Sequence, residues 1–236
     1  MKTVFSDLDG TIIFSHRHEI GERVLVEKLN GKPQAYMTVK GYDALQRFGN
    51  KWFIPVTSRT IAQYRRIHFF KDNREPDYAL LDNGGVLLKD GKVDIEWLYK
   101  TKELFQDDLE RLYSFQESLD YAKSKLQDDL ILFLRDGDTE RAIKAAESEG
   151  FMTFVTSGKK YACPPGLTKG AAVNRFKAEH FTGYTVCAGN MKPDISMLSE
   201  CDEGFFAENL KSAVKADNRV HFLNNTEIAE RIFCGI

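Results

Sequence analysis

The sequence predicts an α/β fold: a Rossmann-like, doubly wound parallel sheet that carries a small inserted α+β cap domain. Three observations predict it. Short apolar runs (Val4-Phe5, Trp52–Val56, Tyr184–Ala188, Phe205–Ala207, Val220–Leu223) alternate with helical stretches, as parallel strands joined by crossover helices do. Several runs end in clusters of polar residues, and open α/β sheets place ligands at the carboxyl ends of their strands. From about residue 88 to 161 the pattern changes to helix, strand, helix, strand, strand, enough for a separate module. The predicted division is therefore a main domain of residues 1–87 and 162–236 with an insert of residues 88–161.

Composition fits such a molecule. The 236 residues suffice for a sizeable core, and 42% hydrophobic with 29% charged residues is ordinary for a globular chain. Lys and Arg (33) nearly balance Asp and Glu (35), leaving −2, so no global field points to nucleic acid or a membrane surface. No apolar run approaches the ~20 residues of a membrane span, and the amino terminus lacks a signal peptide's basic and apolar regions. Cys163, Cys187, Cys201 and Cys234 are widely spaced without a CxxC pair. That predicts free thiols in a reducing cytoplasm, and neither a zinc site nor a disulfide framework.

The first element organises the rest. Val4-Phe5 reads as the end of a buried strand running straight into Asp7-Leu8-Asp9-Gly10-Thr11. In an extended chain Asp7 and Asp9 point the same way, and two converging carboxylates want a cation or a shared proton between them. Gly10 allows a sharp turn. A bare Asp-Gly would read as an ordinary turn; Asp-x-Asp-Gly-Thr directly after a strand points to chemistry.

After Ile12-Ile13-Phe14 comes a polar stretch through about Gln34, where His16, His18 and Glu19 read as solvated loop residues, since no third ligand follows at helical spacing. Val39, Tyr42, Leu45 and Phe48 recur at helical intervals from Met37 and stop before Gly49-Asn50, predicting a helix. Trp52–Val56 is the next strand, although Pro55 cannot donate to a ladder and argues against a central place. Thr57-Ser58-Arg59 then precedes a predicted helix from about Thr60 to Phe70. This arrangement suits an anion, but by itself it reads more simply as a plain helix cap. Asp77–Leu81 predicts a third strand ending at Asp82-Asn83-Gly84-Gly85, and Lys89-Asp90-Gly91-Lys92 a hairpin turn.

In the insert, Phe105, Leu109, Leu112, Leu119, Ala122 and Leu126 predict one helical face from Glu103 to Leu126. Leu130–Leu134 predicts a strand, Thr139–Glu149 a helix closed by Gly150, Phe151–Val155 a strand, and 159–162 a last one. The main fold resumes at Pro164–Gly170, leading into an amphipathic helix to about His180. Tyr184–Ala188 runs into Gly189–Asp194 and a helix Ile195–Leu198. Phe205–Ala207, a helix Leu210–Ala216, Val220–Leu223 and a final helix to Phe233 complete the alternation.

Four of these elements, in order, resemble the motifs of the haloacid dehalogenase (HAD) superfamily phosphatases. Asp7-Leu8-Asp9-Gly10-Thr11 is similar to the first motif, and Val56-Thr57-Ser58-Arg59 to the second. Lys169 in Leu167-Thr168-Lys169-Gly170 is similar to the third. Gly189–Asp194 with Ile195–Leu198 resembles the fourth, and Asn83-Gly84 the turn before the cap. The insert resembles the type IIB cap of the sucrose-phosphate, mannosyl-phosphoglycerate and Cof-type phosphatases. The resemblance spans the whole core and implies a magnesium-dependent phosphomonoesterase for a small phosphorylated metabolite such as a sugar phosphate. It implies Asp7 as nucleophile and Asp9 as general acid and base. Thr57, Ser58 and Lys169 would hold the phosphate. Mg2+ would be held by Asp7, the Asp9 carbonyl, Asn190 and Asp194.

The fourth motif departs from the family, with Asn190 where a metal-binding Asp is usual and Pro193 where an Asn is usual. Asn190 removes one negative charge from beside the ion, and Lys192 would act the same way if it faced inward. A HAD-fold binding or regulatory protein with little or no turnover is therefore the alternative reading. A receiver domain, which also combines acids, Thr and Lys, is disfavoured by the chain's length and by the position of Asp7. Arg135 and Asp136 in the insert are candidates for substrate contact, against a plainer reading as solvated loop residues.

Overall fold

A computed structural model describes residues 2–156, 158–180, 182–215 and 219–234. The chain divides into two compact units, residues 1–93 with 169–236, and residues 94–168. The sequence places the same junctions six to seven residues earlier, at 87/88 and 161/162.

The first unit opens with β1 (Lys2–Ser6), whose Val4 and Phe5 are fully buried. β2 (Phe14–Ser15), β3 (Arg23–Leu29) and β4 (Lys32–Thr38) follow as an antiparallel sheet in the order β2-β4-β3. The sequence reads this stretch as a polar loop, and that reading is corrected here. Two irregularities in the β3–β4 register, around Glu27, break the period-two alternation by which a strand is recognised. The legible signal is Asn30-Gly31, both at positive φ (51° and 76°), a two-residue hairpin turn. His16, His18 and Glu19 are exposed before β3.

α1 (Val39–Phe48) is capped by Thr38, whose hydroxyl accepts the Gly41 N–H. β5 (Phe53–Pro55) leads to α2 (Ile61–Tyr64), one turn held by a capping box between Thr60 and Gln63. The helix predicted to Phe70 therefore stops early. Ile67, Phe69 and Phe70 are nonetheless buried, so their apolar spacing marks core contact rather than helix. β6 (Tyr78–Leu81), β7 (Val86–Lys89) and β8 (Lys92–Val93) form an antiparallel meander, turning at Asp90-Gly91.

The second unit contains α3 (Ile95–Leu104), α4 (Gln106–Ser118), β9 (Ala122–Gln127), β10 (Ile131–Gly137), α5 (Thr139–Ser148), β11 (Met152–Thr156) and β12 (Lys159–Cys163). Its antiparallel sheet runs β11-β12-β10-β9. The single helix predicted to Leu126 ends at Ser118, and Ala122 and Leu126 lie in β9. Leu112, Phe115, Leu119 and Ala122 share one buried cluster. A spacing of four serves a helix face and, as twice two, a strand face, so periodicity alone does not show the change of element.

The first unit resumes with α6 (Lys169–Glu179), β13 (Tyr184–Gly189), β14 (Glu203–Ala207), β15 (Val220–Leu223) and α7 (Asn225–Cys234). Lys192–Glu200 is a 3-10 helix around the predicted Ile195–Leu198 helix. The helix predicted over Leu210–Ala216 is replaced by a 3-10 turn, Glu208–Leu210, while its end at Ala216 lies outside the described residues. The main sheet is parallel, in the order β15-β14-β13-β1-β5. β5 ends that ladder, which accommodates Pro55. Val4 pairs with Phe53, whose ring meets Phe233 of α7 edge-on at 5.1 Å. Phe5, on the opposite face, meets Phe176 of α6 at 5.8 Å. Helices thus cover both faces, the doubly wound arrangement expected. Among the described residues no helix is long and apolar enough to cross a membrane.

Candidate active site

β5, β1 and β13 are neighbours and run the same way, so Thr57, Asp7 and Asn190 leave the sheet side by side at their carboxyl ends. The Asp7 N–H still donates to the Ala188 carbonyl at 2.9 Å, carrying the β1–β13 ladder into the site. Gly10 has φ +83°, and a Cβ there would lie 2.3 Å from the Asn190 carboxamide. Only glycine meets both demands.

Asp7 is buried, and its Oδ1 accepts from Lys169 Nζ at 2.5 Å. The same ammonium, at the start of α6, reaches Asp194 Oδ1 at 2.7 Å. The other Asp194 oxygen accepts the backbone N–H groups of Asn190 (3.0 Å) and Met191 (2.9 Å). Gly189 permits this loop, since a Cβ there would lie 2.1 Å from the Asp194 Cβ. Asp194 therefore orients Lys169 and the 189–191 turn, and both its oxygens are engaged. Burial pushes the Asp7 carboxyl up to about 7 against the pull of Lys169, with Asp194 adding to the rise. Burial also works against the Lys169 charge, but the two carboxylates outweigh it and raise its pKa. One ammonium shared between two acids cannot neutralise both, and Asp7 carries the excess.

Asp9 is gripped from the other side. Arg59 donates Nε to Asp9 Oδ2 and Nη2 to Oδ1, both at 2.7 Å, a bidentate pair. Arg59 Nη2 also reaches Glu27 Oε2 at 2.9 Å, and Glu27 Oε1 accepts from Arg66 at 2.9 Å. Burial opposes the Arg59 charge, but Asp9 and Glu27 raise its pKa. Each Asp9 oxygen keeps a second lone pair, and the side chain is 33% exposed, so it remains open to another partner. Sequence reasoning assigned no role to Arg59 and overlooked Glu27. A glutamate at an inward position of β3 was the available signal, hidden by reading that stretch as a loop.

Thr57 is buried, and its Oγ1 accepts the Arg59 N–H at 3.2 Å, leaving its own hydrogen to donate. Ser58 beside it is half-buried, and Lys192 is exposed. Arg135 and Asp136 are exposed at the end of β10 in the second unit. They line a cleft of about 780 Å³ with Tyr113, Tyr121 and Lys123.

Asn190 completes the centre. With its carboxamide oxygen inward it would face the acceptors Asp7 Oδ2 and the Asp9 carbonyl. With nitrogen inward it donates to both at 3.3 Å and to Thr11 Oγ1 at 3.2 Å. Thr11 in turn donates to Asp7 Oδ2 at 3.0 Å. Which atom faces inward depends on what lies between these oxygens. With the oxygen inward, Asn190 Oδ1, Asp7 Oδ2 and the Asp9 carbonyl converge, a set of oxygens that fits a magnesium ion. Asp194 is turned to Lys169 and the 189–191 backbone instead. Among the described residues no group of three or more His, Cys, Asp or Glu could hold a metal ion, so a site here depends on the Asp9 carbonyl and Asn190.

No family model and no curated protein matches the sequence. Solved structures do. The sucrose-phosphatase from Synechocystis sp. PCC6803, in complex with sucrose and phosphate, matches with a TM-score of 0.62 at 17% identity, over 97% of this chain and 95% of that one. The Aspergillus fumigatus trehalose-6-phosphate phosphatase matches at 0.55 and 12% identity, over 98% and 91%. A haloacid dehalogenase-like hydrolase protein from Bacillus subtilis matches at 0.53 and 15% identity, over 92% and 83%. The fold is that of the HAD-like phosphatases.

Proposed function

We propose that the protein is a phosphomonoesterase acting on a small phosphorylated metabolite, a sugar phosphate, through an aspartyl-phosphate. One observation carries the reading: the buried Asp7 carboxylate lies at the end of β1 with Lys169 Nζ 2.5 Å from its Oδ1. An Asp7 oxygen bonds to phosphorus as the ester P–O bond breaks. Asp9 gives a proton to the departing sugar oxygen, then takes one from the water that attacks the aspartyl-phosphate, releasing phosphate and restoring Asp7. Lys169, the Thr57 hydroxyl and Ser58 stabilise the transferring phosphoryl group. The second unit, including Arg135 and Asp136, acts as the cap that selects the sugar.

Fold likeness to phosphatases named for sucrose and trehalose 6-phosphate supports the substrate class. Free thiols, three of the four buried, suit the cytoplasm. Magnesium is the cofactor that the motifs imply. Asp7, the Asp9 carbonyl and Asn190 would hold it, and it would supply positive charge beside the transferring phosphoryl group. A second reading, a phosphate-binding or regulatory protein with reduced or no turnover, is favoured by the neutral Asn190 carboxamide beside Asp7, where a carboxylate would add a charge. Inorganic phosphate release from a panel of sugar phosphates, with and without magnesium and with Asp7→Asn as the blank, tests the proposal. Turnover by wild type alone supports the esterase. Substrate binding without turnover in either buffer favours the second reading.

A further inference from the structure

We propose that Glu27 is a positioning residue for proton transfer at Asp9, acting through Arg59. The inference rests on the esterase reading, in which Asp9 serves the departing oxygen and then the attacking water. Glu27 lies between the two irregularities in the β3–β4 register, and such bulges re-aim a side chain. Its side chain is 0% exposed and accepts from Arg59 Nη2 and Arg66 Nε, both at 2.9 Å. Its backbone is held as well, by a bridge from Glu27 to Ile67 and by the His68 N–H donating to the Val26 carbonyl at 2.7 Å.

Arg59 carries that anchorage to Asp9. Its Nε and Nη2 grip both Asp9 oxygens, while Nη2 also meets Glu27 and Nη1 donates to the Gln63 carbonyl at 3.3 Å. The Arg59 backbone is pinned on both sides, its N–H to Thr57 Oγ1 and its carbonyl to the Asp82 N–H at 3.1 Å. A planar fork on both carboxylate oxygens fixes the carboxylate plane, which a one-point contact would leave free to rotate. The fork is steady only if its far side is held, and Glu27 is the carboxylate that holds it. Without Glu27, Asp9 and Arg59 would turn together as a pair. A buried ion pair is a weak source of stability compared with apolar packing, so what this one supplies is direction. Direction matters, because misplacing a reacting group by about 1 Å can cost on the order of 10²-fold in rate.

The test compares turnover of two phosphate esters of similar size, benzyl phosphate and p-nitrophenyl phosphate. Nitrophenolate departs without a proton, whereas the benzyl alkoxide needs one as the P–O bond breaks. Glu27→Gln keeps the side-chain volume but turns an NH2 towards one of two guanidinium groups. Its kcat for benzyl phosphate is expected to fall at least about tenfold further than its kcat for p-nitrophenyl phosphate, with both KM values within about twofold of wild type. Arg66→Gln removes the outer ion pair of the same cluster and keeps the Arg59–Glu27 contact, so its ratio of the two kcat values should stay within about twofold of wild type. Arg59→Lys keeps the charge and loses the fork, and should shift the ratio as Glu27→Gln does. It decides the matter if near-UV circular dichroism shows Glu27→Gln unfolded, and an unchanged ratio there overturns the inference. Equal loss on both esters, or loss on neither, in a folded Glu27→Gln overturns the inference and leaves the esterase reading intact. So does a shift by Arg66→Gln as large as that by Glu27→Gln. Wild type that hydrolyses p-nitrophenyl phosphate and not benzyl phosphate also overturns it, because no proton then reaches the leaving oxygen. Hydrolysis of neither ester by wild type, with magnesium present, overturns the esterase reading and the inference with it.

Discussion

Two buried charge clusters meet at the end of β1, and they are built differently. Around Asp9, two acids and two arginines alternate, Asp9–Arg59–Glu27–Arg66, and every charge has an opposite neighbour. Around Asp7, two acids share one lysine. The balanced cluster fastens β3 to the loop after β5 and holds Asp9 still. The unbalanced one keeps a buried carboxylate without full compensation, a state that burial penalises and that suits the reacting role proposed for Asp7. The comparison separates a balanced network from an unbalanced one.

Asp7→Asn should produce the largest change. It removes the proposed nucleophile, so phosphate release should fall by about 10³-fold or more while circular dichroism stays unchanged. Retained turnover in a folded variant would end the assignment. Glu27→Gln breaks the balanced cluster and leaves Arg59 and Arg66 short of a buried counter-charge. A loss of about 3 kcal/mol in urea unfolding is expected, as for a buried pair deprived of one partner. A loss below about 0.5 kcal/mol would show that the cluster contributes little beyond solvated charge.

Asn190→Asp sharpens the unbalanced side. Magnesium affinity, read by direct titration, should rise about tenfold or more, because a unit charge roughly 4 Å from a divalent ion outweighs the desolvation of the new carboxylate. Equal affinity in both proteins would mean that position 190 does not face the ion. Asp194→Asn should lower phosphate affinity by loosening Lys169 and the 189–191 turn.

The smallest effect is on pH. The Asp7 carboxyl is raised to about 7 by burial, above the ordinary 3.8. As the proposed nucleophile, Asp7 needs its carboxylate, so turnover should climb as pH rises through about 7. For stability the sign is opposite: between about 4 and 7 the folded state binds the extra proton, so the contribution of Asp7 is present at low pH and lost as pH rises through its folded value. The melting temperature of Asp7→Asn relative to wild type should therefore be higher at pH 8 than at pH 5. No difference between the two pH values would mean that Lys169 fully compensates Asp7.

Much of this was legible in the residues. Strand runs such as Val4-Phe5 and Val186–Ala188 are buried on both faces and read directly as apolar segments. Asp7 stood out because Asp-x-Asp-Gly-Thr follows a strand, whereas Thr57 and Lys169 stood out only through the resemblance of their motifs. Glu27 did not, because the register of β3 is irregular and its partner Arg59 lies 32 residues away. Nor did the early end of α2 or the helix-to-strand change after Ser118, where buried apolar spacing served two kinds of element equally.

The sequence by itself determined the strand ends and the polar residues carried there, since turn residues and hydrophobic alternation act over a few neighbours. It also determined that position 190 is an amide. Only the tertiary structure decided that this amide meets Asp7 and the Asp9 carbonyl, and that Asp194 serves Lys169 while Arg59 serves Asp9. Those choices depend on which donors and acceptors converge from β1, β3, β13 and α6. The charge balance of a buried centre is a sum over residues far apart in the chain, which local sequence does not reveal.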